Sequence, residues 1–167
     1  CAVPGSGSAS DELDGMSIGV KDIIMVGGVP MQCSSAIMRG FIPGVDATVV
    51  SRLLAHGADI TAMTNADEFA ASGRGTTNYT GPIRNPHDPE RVAGGSSGGS
   101  GVAVANEIVD VALGTDTGGS IRIPAGLCGV VGVKPTYGLV PLSGVVENTY
   151  TQDHVGPLAR SVRDAGR

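Results

Sequence analysis

Apolar residues in this chain come in short runs set among small and polar ones, and each run has its own period. Residues 16–21, MSIGVK, are a compact apolar run closed by a lysine, which predicts a buried strand ending at Lys21. After Asp46, the stretch ATVVSRLLAHG puts Val49, Val50, Leu53 and Leu54 on one helical face. Asp46 is the expected N-cap of that helix and Gly57 suits its C′ position. DITAM (59–63) reads as a returning strand, and Asn65 to Phe69 as a short helical turn. From Gly73 to Gly95 the pattern dissolves into a loop, with Pro82, Pro86 and Pro89 breaking any regular element. GSGVAVANE (99–107) is small and apolar enough for a closely packed helix, and VDVALGT (109–115) reads as a buried strand. A glycine turn at 118–119 leads into IRIPAGLCG, followed by the strand-like VVGVK (130–134). A helical pattern opens again in SVRDAGR. Strands alternating with helices, without an internal repeat, predict an α/β layered domain.

Composition narrows the classes. Glycine supplies 27 of the 167 residues, roughly twice its usual share, without the three-residue period of a collagen rod. Hydrophobic residues make up 41%, too many for a disordered linker. The formal charge is -5 and the basic residues are scattered, so no footprint for nucleic acid is visible. No apolar run reaches the ~18 residues of a membrane span. CAVPGSGSAS (1–10) has neither the charged nor the apolar region of a signal peptide. The cytoplasm is the default compartment. Cys1, Cys33 and Cys128, and His56, His87 and His154, are too dispersed for a disulfide framework or a zinc site. Both ends look cut, so the expectation is a piece of a larger domain.

Two glycine-rich stretches carry candidate chemistry. GGSSGGS (94–100) lacks the lysine of a Walker loop and is not GxGxxG. It matches G-x-S-x-G on Ser96 or Ser97, with Asp153 and His154 downstream in the order of an α/β-hydrolase triad. The strand that such an elbow needs is replaced by NPHDPERVAGG, a loop. GTDTGGS (114–120) contains the Asp-Thr-Gly of aspartic proteases, but no second copy pairs with it, short of a homodimer. A third reading joins both stretches to Lys21. A serine needs a base to become a nucleophile, and a lysine serves only when burial keeps it neutral. The apolar run before Lys21 offers that burial, and the backbone amides of Thr117, Gly118, Gly119 and Ser120 could converge on an oxyanion. Against it stands the plainer reading of Lys21 as a surface charge at a strand end.

From LDGMSIGVKD to DHVGPLARSVRDA, and above all through GPIRNPHDPERVAGGSSGGS and VALGTDTGGSIRIPAGLCGVVGVKPTYG, the chain resembles the amidase signature family. These are serine hydrolases that cleave carboxamides with a Ser–Ser–Lys triad. The spacing of 75 residues from Lys21 to Ser96 and 24 from Ser96 to Ser120 resembles the family's. The resemblance implies a central mixed β-sheet covered by α-helices on both faces. It makes Ser120 the acyl-accepting nucleophile, Ser96 the bridging residue after a cis bond from Gly95, and Lys21 the base. The amides of residues 117–120 would form the oxyanion hole. Asp116 and Arg122 would pair across the nucleophile turn, and Ser97 would hydrogen-bond within the triad or simply begin a helix. Phe69 reads as core or pocket wall. No cofactor or metal is implied.

Within the family, Asp153-His154 before Val-Gly-Pro and the stretch VPLSGVVENTY favour a free-standing amidase acting on a small-molecule amide. The alternative is the glutaminase component of the tRNA-dependent amidotransferase, which releases ammonia from glutamine for a partner protein. The second alternative is an incomplete piece with no catalysis of its own. Nucleic acid and membrane are not expected to bind directly, and a homodimer stays open.

Overall fold

The computed structural model describes residues 11–167; the polar run 1–10, with Cys1, lies outside the described residues. Five strands make one mixed sheet in the order β2-β1-β3-β5-β4. They are β1 (Ser17–Lys21), β2 (Asp59–Thr64), β3 (Val111–Asp116), β4 (Val131–Gly132) and β5 (His154–Ala159). β2, β1 and β3 run parallel, while β5 pairs antiparallel with β3 and β4. Four helices accompany them: α1 (Thr48–Ala55), α2 (Gly98–Ala105), α3 (Arg122–Cys128) and α4 (Val162–Ala165).

Strand alternation sorts the core into two layers. Ile18 and Val20 of β1 and Val111 and Leu113 of β3 face one side, where they pack with Val50 of α1. Ala112 of β3 and Leu158 of β5 face the other, against Ala103 and Val104 of α2 and Ile121 and Ala125 near α3. Fully burying a side chain such as Val20 or Ile18 is worth about 1.5–3 kcal/mol. The second side is lined by small residues, so α2 lies close on the sheet. Lys21 follows Val20 and turns toward α2, arriving at the carboxyl ends of three parallel strands, where α/β sheets place their ligands.

Several expectations shift. Ala47, not Asp46, is the N-cap of α1, because the Asp46 carboxylate is engaged elsewhere, accepting from Gly27 N at 2.6 Å. Gly57 does follow the helix, at φ +90°. The turn expected over Asn65 to Phe69 begins later, as a single 3-10 turn over Glu68–Ala70 with Phe69 at φ +47°. IRIPAGLCG folds as α3, since Pro124 sits in its first turn, where a missing N–H costs nothing, and Gly129 closes it at φ +71°. VVGVK contributes only the short β4.

β5 escaped the sequence pattern altogether. Its HVGPLA contains two residues that ordinarily break strands. Gly156 is there because a β-carbon would collide with the Val133 carbonyl oxygen. Among the described residues no helix is long and apolar enough to cross a membrane.

Candidate active site

Lys21 is fully buried, and its Nζ donates to Ser96 Oγ and Thr115 Oγ1, each at 2.7 Å. Burial drives its pKa down to about 7, against partial opposition from Asp67, Asp116 and Asp153, whose negative charges favour the ammonium. The plainer reading as a surface charge is therefore excluded. A neutral amine at 2.7 Å can also accept the hydroxyl proton of Ser96, which is what a base in this place requires.

Ser96 is held from both sides. The Gly95–Ser96 peptide is cis. Ser96 O accepts from Asp67 N at 3.0 Å, and Gly95 N donates to Gly73 O at 2.9 Å. A β-carbon on Gly95 would collide with Asp67 Oδ2, so only glycine fits there. Ser97 stands at the N-cap of α2 but does not cap it. Its Oγ donates to Thr115 O and accepts from Thr115 N, both at 3.1 Å, fastening α2 to the end of β3. Ser100, one turn on, donates to Leu113 O at 2.9 Å and shares a 2.7 Å hydrogen bond with Thr64.

The turn after β3 is built around Asp116. Its Oδ1 accepts from Gly119 N (2.8 Å) and from Arg122 Nη2 (2.8 Å), and its Oδ2 from Ile121 N (3.1 Å) and Arg122 Nε (3.0 Å). Burial pushes the Asp116 carboxyl up, but the Arg122 guanidinium and the neighbouring N–H groups outweigh it and hold it below the usual range. The bidentate pair spans the turn that carries Ser120. Ser120 is 9% exposed, and its carbonyl accepts from Ser97 N at 3.1 Å, which brings the two serine turns side by side. Among the described residues no hydrogen bond joins the Ser96 and Ser120 hydroxyls.

The amide of Gly119 is already committed to Asp116, so the expected set of four oxyanion donors is reduced. The amides of Thr117, Gly118 and Ser120 donate to no protein acceptor among the described residues. Gly118 has open space around it, so no β-carbon clash explains that glycine.

A cavity of about 200 Å3 opens over this turn, lined by Thr117, Gly118, Ser120, Ile123, Ala70 and Asn148. A larger hollow of about 690 Å3 lies behind α2 against β2, but none of Lys21, Ser96 and Ser120 lines it. Phe69 is a half-buried residue packed on the core layer beneath α1.

Asp153 and His154 grip the same turn instead of joining Ser96 or Ser97. Asp153 accepts from Thr117 Oγ1 at 2.5 Å and from the amides of Asn148 and Thr149. His154 Nδ1 lies 3.0 Å from Asp116 O, with Lys134 Nζ 3.2 Å from its other nitrogen. Sequence reasoning also missed Thr115, the second partner of Lys21, and Asp67. Both lay inside stretches already singled out, but only the fold shows which way they point. Cys33 and Cys128 are buried with free thiols pushed up to about 11, so neither offers a thiolate.

The model of the family described as Amidase matches residues 4–167. The chain belongs to this family. It is 50% identical over 159 residues to the GatA-type component of the Halobacterium salinarum glutamyl-tRNA(Gln) amidotransferase, a match covering 95% of this chain and 38% of that protein. Among solved structures it resembles the corresponding amidotransferase component from Thermotoga maritima, with a TM-score of 0.89 and 42% identity, over 98% of this chain and 37% of that one. It also resembles a crystallised amidase at a TM-score of 0.87 and 51% identity, over 92% of this chain and 35% of that one. The chain thus spans about a third of the length of the curated relatives it matches.

Proposed function

We propose that this chain carries the amide-cleaving centre of an amidase-family hydrolase, with Ser120 as nucleophile, Ser96 as proton bridge and Lys21 as base. The observation that carries the reading is the buried Lys21 amine, held near neutrality, in a 2.7 Å hydrogen bond with Ser96 Oγ. Ser120 Oγ attacks the carboxamide carbon and gives its proton to Ser96, while Ser96 passes its own to Lys21 Nζ. The link closes by rotation of the Ser120 side chain, whose backbone already sits beside Ser97. The carbonyl oxygen, now negative, points at the free amides of Thr117, Gly118 and Ser120. Collapse breaks the C–N bond, ammonia leaves with the proton returned through Ser96, and water releases the acyl group by the same relay.

The relatives favour glutamine as the amide and transfer of its ammonia to a partner protein. Curated relatives at 50% and 53% identity are named as components of the glutamyl-tRNA(Gln) amidotransferase, and this outweighs the free-standing amidase expected from Asp153-His154. The 51% identity to a crystallised amidase supports hydrolysis of small amides as the second reading. The deciding measurement is ammonia release from glutamine, propionamide and benzamide by the protein expressed from its complete gene, with and without the other amidotransferase components. Glutamine turnover that rises with the partners is expected. Turnover of propionamide or benzamide alone, indifferent to the partners, would replace the first reading by the second.

A further inference from the structure

We propose that Asp67 is a positioning residue for the Lys21–Ser96 pair: its carboxylate clamps the backbone on which Ser96 sits and sets a fixed negative charge beside the lysine. The inference rests on the amide-hydrolase reading for its catalytic consequence, while its structural consequence can be read without turnover.

Asp67 is fully buried and follows β2. Its Oδ2 accepts from Gly75 N at 2.9 Å, and its Oδ1 from Thr77 N and Thr77 Oγ1, each at 3.0 Å. Its own amide donates to Ser96 O at 3.0 Å. The carboxylate is therefore wedged between the 73–77 loop and the Gly95–Ser96 peptide, with room only for a hydrogen on Gly95. Gly73 O, from the same loop, holds Gly95 N. Through one buried side chain, the loop, the peptide before Ser96 and the carbonyl of Ser96 are tied into a single unit.

A buried carboxylate needs compensating groups, and hydrogen-bond donors and a nearby cation are the means available. Among the described residues Asp67 has no Arg or Lys in an ion pair. Lys21, one residue away through Ser96, is the nearby cation whenever it is protonated. Of the carboxylates that face Lys21, Asp67 after β2 has the largest influence, ahead of Asp116 at the end of β3 and Asp153 before β5. Asp116 is bound up with Arg122, and Asp153 with Thr117 and the 148–149 amides. Asp22, next to Lys21 in the chain, turns its carboxylate to the amides of Gln32 and Ser34. The uncharged groups on Lys21 Nζ are Ser96 and Thr115.

Asp67→Asn keeps the volume but removes the charge and turns one acceptor into a donor facing an N–H. In the protein with 13C-labelled lysine, the Lys21 Cε titration midpoint should fall by about one pH unit, because the stabilised ammonium loses its partner. The acid limb of kcat/KM should follow it, with kcat lower by about tenfold and KM little changed. A Lys21 midpoint equal to the wild type's would overturn the proposal. A wild type that forms no Ser120-dependent acyl-enzyme would instead sink the amide-hydrolase reading, and the NMR midpoint would still judge Asp67. Should Asp67→Asn fail to fold, Thr77→Val at an exposed position removes one donor and keeps the charge. It should speed hydrogen exchange at the Gly95 amide without moving the Lys21 midpoint, and unchanged exchange there would overturn the clamp.

Discussion

Lys21 and Ser96 lie sealed under the start of α2, with the lysine amine fixed by two 2.7 Å hydrogen bonds, whereas Ser120 sits on the floor of an open cavity with free amides around it. The first half is closed because a lysine works as a base only when water is kept away from it. The second half is open because substrate must reach the nucleophile and bring its own oxygen to the waiting N–H groups. The two halves are stabilised by different means as well. The closed half relies on small residues that let α2 press on the sheet, and the open half on the Asp116–Arg122 pair that holds a short turn in shape. The backbone joint between them is the Ser97 N to Ser120 O hydrogen bond, so the relay depends on that contact between two rigid units.

Removing the open half's nucleophile is the harshest test of that division. Ser120→Ala should abolish the acyl-enzyme and lower turnover by about 10^4-fold or more, while melting stays close to the wild type's because the side chain is at a cavity surface. Mass spectrometry after mixing with amide, or capture of the acyl group by hydroxylamine, reads it directly. An acyl adduct on the variant would move the nucleophile elsewhere.

Breaking the closed half should cost less in rate but more in pH behaviour. Lys21→Met should lower kcat by about 10^2- to 10^4-fold, the range of a lost general base. In the wild type kcat/KM should rise with pH to a half-maximum near 7, since burial brings Lys21 to about 7 and only the neutral amine accepts a proton. The same displacement affects stability. Between about 7 and the ordinary value of 10.5 the unfolded chain binds a proton that the folded one releases, so stability should increase with pH across that window. Urea midpoints taken at about pH 6.5 and about pH 9.5 check the sign, and Lys21→Met should flatten the difference. A rate profile without a limb near 7 would mean that the closed half does not govern the chemistry.

How far the sequence led differs between the same two halves. Strand β1 and helix α1 were legible because their periods of 2 and 3.6 are undisturbed by the site. Lys21, Ser96 and Ser120 were legible only through motif resemblance, since 75 and 24 residues separate them and no periodicity connects them. β5 was hidden by Gly156 and Pro157, residues chosen for a close approach to Val133 rather than for strand propensity. Asp153 and His154 were visible as a pair, yet their partners proved to be Thr117 and the Asp116 carbonyl, because direction, unlike order in the chain, is set by the fold. Gly119 shows the same limit in the open half, its amide spent on a carboxylate three residues earlier in the chain.

The smallest change separates packing from chemistry within the closed half. Thr64 pairs in register with Lys21 across the β1–β2 ladder, but its hydroxyl turns to Ser100 and not to the lysine. Thr64→Val deletes that one buried hydrogen bond, and Ser100 keeps its bond to Leu113 O, so no polar atom is stranded. The cost should be about 1 kcal/mol, seen as a lower urea midpoint with an unchanged slope. kcat and the pH limb should stay where they are, because nothing on Lys21 Nζ has been altered. If the limb moved with Thr64→Val, the lysine would be sensing the packing of β2 against α2, and the closed half would extend one strand further than its hydrogen bonds indicate.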